Sequence, residues 1–202
     1  MKQIPIDPVR SGILDAAERL FVRYGYKKTT VDEIAQEAHI GKGTVYLHFE
    51  SKEDVGICWL RRLHEAIFVD LEQIKDEPSD ARVRLKKFIE ERVLKRFDIF
   101  QAHQRSMDDA LGSIPPETIE MSRQTFHLRE RQLLIEILES GIQNQTIICP
   151  NLEETAEAIV IATNSLMPYK QRPELLGDRN QVQRKAGIVA DLVIRAINPN
   201  RE

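Results

Sequence analysis

Cysteine is nearly absent from this 202-residue sequence: Cys58 and Cys149 are the only two, far apart and in no metal-ligand spacing. That argues against a disulfide scaffold and fits a reducing compartment. No window approaches the roughly 20 consecutive apolar residues of a membrane-spanning helix. The opening "MKQIPIDPVRSG" also lacks the apolar stretch of a signal peptide. A soluble, cytoplasmic protein with no membrane partner is the expectation. Alternating apolar and polar runs are missing too, which leaves an all-α class. No nucleophile motif or phosphate loop is present, and His64, His103 and His127 show no metal-ligand spacing. The sequence therefore predicts no enzyme, no metal and no cofactor. A basic arm is absent as well. Net charge is −3, and residues 1–52 hold eight Lys/Arg against seven Asp/Glu. Any nucleic-acid surface must be local, built from a few lysines and helix N-termini.

What is present is helical periodicity, with nine glycines and nine prolines sitting mostly between periodic segments. A first helix runs from about Pro8 to Tyr24, ended by Gly25. Thr30 and Glu33 form a capping box for a short second helix. "HIG" is a tight turn, and a third helix of barely two turns covers about 42–48. Ser51 caps a long fourth helix reaching about Asp76, with Val55, Trp59, Leu63, Ile67, Leu71 and Ile74 on one face. Further helices are predicted over about 80–98, within 100–112, from "SIPPET" to about Gly141, from Asn151 to roughly Gln171, and over about 178–197. That makes about nine helices: a three-helix head, residues 1–52, and a larger helical body, residues 53–202.

Helix two, a glycine-containing turn and short helix three make a helix-turn-helix, with helix one as the third packing partner. In that motif the second paired helix enters the major groove of duplex DNA with its N-terminal residues facing base edges. Gly41 and Gly43 remove side chains where backbone must approach closely, and Val45 and Phe49 can reach back into the small core. Lys42, Thr44, Tyr46 and His48 are left facing outward. Lys52 and the amide-rich start of helix four can hold a phosphate.

The run "ILDAAERLFVRYGYKKTTVDEIAQEAHIGKGTVYLHFESKED" resembles the DNA-binding domain of the TetR/AcrR family of bacterial transcriptional regulators. The likeness covers about the first quarter of the chain; Val55 departs from it, where leucine is common. The resemblance implies a homodimeric repressor that binds an inverted-repeat operator in double-stranded DNA and is released by a small molecule. By the same resemblance Thr30 touches a phosphate, Lys42, Gly43 and Thr44 lie at the groove, and Tyr46 contacts phosphate or a thymine methyl. His48 and Lys52 take backbone contacts.

The body resembles the family in helix number and length only. Trp59, Phe88, Phe97, Phe100, Met107, Phe126 and Met167 are most economically core residues. A pocket for a small, largely apolar effector would nonetheless draw its lining from some of them. The candidate set is Trp59, Phe88, Phe97, His103, Met107, Phe126 and Tyr169. In the last helix Val182, Ala186, Val189, Val193, Ala196 and Ile197 cover one arc, extended around a flank by Ile188 and Leu192. That arc is wider than one core requires, which predicts a homodimer through about 152–171 and 178–197.

Overall fold

The computed structural model describes residues 7–167 and 176–198. Among these residues the protein is all-α, with eight helices. They are α1 Pro8–Tyr24, α2 Val31–Glu37, α3 Lys42–His48, α4 Lys52–Lys75, α5 Ala81–Leu111, α6 Pro116–Gln143, α7 Leu152–Asn164 and α8 Arg179–Ile197. The difference from nine lies in α5. The two helices expected over 80–98 and 100–112 form one element, bent at His103, whose φ of −122° and ψ of 17° leave the helical region. Neither proline nor glycine interrupts "IFQAHQRSMDDA", so nothing in that stretch forces a full break.

Two other boundaries moved. α6 continues through Gly141 to Gln143. That glycine serves close packing instead of termination: a Cβ there would lie 2.9 Å from the Ala81 Cβ and collide with Ile147. α7 ends at Asn164, short of Gln171, with Ser165 as its C-cap. Residues 165–167 leave the helix in a turn, and the rest of the expected helix, Tyr169 with it, falls outside the described residues.

The helices group into two compact units. One takes the chain through His64 together with His103–Arg123; the other takes Glu65–Ala102 together with the chain from Gln124. This packing does not coincide with a cut at residue 52. The first turns of α4 belong with α1 because Trp59 and Val55 are fully buried there. Trp59 meets Phe21 edge to face at 5.3 Å, and Phe21 meets Tyr26 at 5.1 Å. In the second unit Leu71, Leu85, Phe88, Ile89, Leu134 and Leu138 form an apolar core.

Local signals explain the three short elements of the first unit. Asp7 caps α1 by accepting from the Val9 and Arg10 amides, and Pro8 occupies the first helical position. Gly25 ends α1 at φ 89°, in a backbone region that side chains disfavour. Thr30 and Glu33 form the expected capping box on α2: the Thr30 Oγ1 accepts from the Glu33 amide at 3.2 Å, and the Thr30 amide donates to Glu33 Oε2 at 2.7 Å. His39 takes the turn at φ 56°.

Candidate nucleic-acid interface

α3 has seven residues and no side-chain hydrogen bond at its N-cap, Gly41. An isolated helix of that length is unstable in water, so its contacts must hold it. Val45 and Phe49 supply the inward anchors, both buried. The rest of α3 faces away from that core. Gly43 has open space where a Cβ would stand, and Gly41 has only Thr44 Oγ1 near, at 3.9 Å. Thr44 is half-buried, whereas Tyr46 is 49% exposed and Leu47 83% exposed.

The structure ties several predicted residues into the protein itself. The Lys42 ammonium donates to Asp32 of α2 at 2.8 Å, and this hydrogen bond raises the lysine's pKa. Thr30 is exposed, with its hydroxyl shared between the Glu33 amide and carboxylate. His48 is half-buried, its Nδ1 2.9 Å from the Asp7 carboxylate. Lys52 donates to the Lys27 carbonyl at 3.2 Å and lies 4.5 Å above the Tyr26 ring. Burial there lowers its pKa.

Thr30, Lys42, Gly43, Thr44, Tyr46, His48 and Lys52 thus lie at the N-cap of α2, on α3 and at the first residue of α4, all in one unit. Leu47 was missed. Its signal was available: it lies on the helical arc opposite the buried Val45 and Phe49, where an apolar side chain has no core to enter. Apolar side chains in such positions can meet a thymine methyl group.

The proposed effector residues are divided between the two units. Trp59, His103 and Met107 belong to the first unit, and Phe88, Phe97 and Phe126 to the second. Trp59 and His103 do meet, edge to face, with ring centroids 5.8 Å apart. Phe88 lies in the apolar core of the second unit and Phe97 in a second cluster with Val93, Met167 and Val182. A depression of about 500 Å³ between α1 and α2 is lined by Leu20, Tyr24, Lys28, Glu33, Gln36, Glu37 and His39, none of them in the candidate set. Among the described residues no helix is long and apolar enough to cross a membrane, and no group of His, Cys, Asp or Glu is placed to hold a metal.

Residues 13–55 match the family model of bacterial regulatory proteins of the tetR family. That stretch, from within α1 to the first turn of α4, is what this chain shares with the tetR family. Two relatives in Bacillus subtilis are described as uncharacterized HTH-type transcriptional regulators. YhgD is 25% identical over 93% of this chain and 96% of its own length. YuxN is 28% identical over 82% of this chain, but the match spans only 58% of YuxN. A transcriptional regulator from Cytophaga hutchinsonii shares the fold, with a TM-score of 0.75 at 23% identity over 92% of this chain and 96% of that one. The fold is also that of FadR from Bacillus subtilis, solved in complex with stearoyl-CoA (TM-score 0.63, 20% identity, 93% and 99% covered). TetR-family members and these relatives are helix-turn-helix transcriptional regulators and not enzymes.

Proposed function

We propose that this chain is a ligand-responsive repressor of the TetR family, whose residues 1–52 bind an inverted-repeat operator and whose residues 53–202 dimerise and bind the effector. The observation that carries the reading is the outer face of α3. Tyr46 and Leu47 stand exposed beside two glycines and Thr44, on a helix too short to serve as a structural strut. Thr44, Tyr46 and Leu47 read base edges and methyl groups, while Thr30, Lys42, His48 and Lys52 position the duplex through its phosphates.

Each α3 spans only a few base pairs, so two heads must share one duplex, with half-sites about one helical turn apart. The second copy docks on α7 and α8. α8 buries Val182, Ala186, Ala190 and Ile197 in its own body, yet leaves Ile188 and Leu192 each 61% exposed; Ile161 of α7 is exposed to the same degree. A largely apolar effector is supported by the aromatic and methionine content of the chain and by the acyl-CoA complex of the FadR neighbour. Coupling of about 1–3 kcal/mol would lower operator affinity roughly 5–150-fold.

Selection of duplexes from a random library tests the reading. An inverted repeat should emerge, a reporter carrying it should fall when the protein is present, and an effector found by thermal stabilisation should restore it. Enrichment of no common sequence at physiological salt would refute DNA recognition.

A further inference from the structure

The C-terminal end of α3 is held by the first turn of α1. Asp7 uses one carboxylate oxygen to cap α1 and the other to meet His48 Nδ1 at 2.9 Å. Three residues on, the Arg10 guanidinium donates through Nη1 to the His48 carbonyl and through Nη2 to Cys58 Sγ of α4, the latter at 2.9 Å. Its central carbon, Cζ, also lies over the Phe49 ring, 4.1 Å from the centroid; Phe49 is the buried residue that caps α3. One side chain therefore touches the last carbonyl of α3, its C-cap ring and the flank of α4.

Each contact favours a guanidinium. A cation at a helix C-terminus is stabilised by the carbonyls gathered there. A planar fork can bond two acceptors while stacking on an aromatic face, which a lysine ammonium cannot do at once. The other end of α3 has a looser tie, the exposed Lys42–Asp32 pair. The angle of α3 about its Val45 anchor is thus set mainly at its C-terminus.

We infer that Arg10 is a positioning residue for DNA recognition: it fixes the orientation of α3, and hence which bases Thr44, Tyr46 and Leu47 reach, without touching the duplex. Asp7 acts with it through His48. This rests on the reading of α3 as the recognition helix, and the test separates the two.

The experiment compares wild type, Arg10→Gln, Arg10→Lys and Asp7→Asn on the duplex selected by wild type and on a scrambled duplex, over a salt series, with unfolding of each variant followed in parallel. Asn remains a good N-cap, so Asp7→Asn spares α1 while removing the charge facing His48. Arg10→Gln should lower affinity for the selected duplex at least tenfold, leave the scrambled duplex within twofold, and leave the salt slope unchanged. Arg10→Lys should recover part of the loss, and Asp7→Asn should show a smaller loss of the same kind. If Arg10→Gln does not fold, Arg10→Lys carries the same comparison.

A uniform loss on both duplexes, with the slope of log K against log salt reduced by about one, would make Arg10 a phosphate contact and overturn the inference. Unchanged affinity in a folded variant would overturn it equally. Failure of wild type to prefer any duplex would instead remove the reading beneath it.

Discussion

In the second unit Arg92, Arg96 and Glu130 are all buried, and their nitrogens and oxygens meet partners at close range. Arg92 donates through Nε to Glu130 at 3.0 Å, through Nη1 to Thr163 at 2.5 Å and through Nη2 to Asn164 at 2.8 Å; Arg96 donates to the same carboxylate and to the Arg92 carbonyl. In the first unit Tyr26 Oη, Trp59 Nε1 and His103 Nδ1 are buried with no hydrogen-bond partner, along one chain of touching aromatic rings. Arg84 Nε is a similar atom in the second unit, but that guanidinium bonds elsewhere, to the Lys75 carbonyl and Ser140. The contrast separates two uses of polarity. Buried charge in the second unit is tolerable only as a bonded set, so losing one member is costly. The first unit keeps its ion pairs near the surface, where Arg62 meets Asp15 and Glu18 and Arg19 meets Glu37, and these three unpartnered polar atoms contribute little or oppose folding.

Replacing Glu130 by Gln should break this contrast most severely. Two buried guanidinium groups would lose their carboxylate, at a cost of about 3–5 kcal/mol in denaturant unfolding. Burial alone would push the Glu130 pKa up, but Arg96 and Arg92 outweigh it and hold the pKa down at about 2 against an ordinary 4.5. A depressed carboxylate stabilises the fold fully above about pH 4.5 and ceases to do so as pH falls towards 2. Wild type should therefore lose stability over that interval more steeply than the Glu130→Gln variant. Parallel acid profiles would show that the cluster does not matter.

Gly25→Ala comes next. An alanine at φ 89° and ψ 155° enters a region nearly reserved for glycine, and its Cβ would lie 2.7 Å from Asp109 Oδ2. A loss of about 1–3 kcal/mol is expected. Smallest, and of opposite sign, is Tyr26→Phe. It removes only a buried hydroxyl without a partner, so thermal unfolding should be unchanged or show a gain of up to about 1 kcal/mol. A clear destabilisation would mean the hydroxyl is bonded in solution and would blur the contrast between the units.

The first unit was far more legible in the sequence than the second. Its signals are short-range: the Thr30–Glu33 box, the Gly25 stop, the His39 turn and the spacing that puts Val45 and Phe49 inside all depend on residues a few positions apart. Arg10 and Asp7 carry no local mark, because their partners on α3 and α4 lie 38 to 48 residues away and an arginine in the first turn of a helix looks like any other surface charge. The Glu130 cluster was hidden for the same reason. Arg92 and Arg96 read as the polar face of a helix, and only the approach of α6 and α7 makes that face an interior. Leu47 is different: the spacing of Val45 and Phe49 already places this apolar residue on the outer face of α3.

The recognition surface itself is tested most directly by matched exposed residues from the two units. Tyr46 on α3 is 49% exposed, and Val83 on α5 is 57% exposed. Affinity of Tyr46→Ala and Val83→Ala should be measured on the selected and scrambled duplexes at physiological salt. A direct base contact contributes about 1–3 kcal/mol of discrimination, so Tyr46→Ala should weaken the selected duplex roughly 5–150-fold and change the scrambled one little, while Val83→Ala changes neither. Equal behaviour of the two variants would contradict the assignment of α3 as the surface that reads DNA.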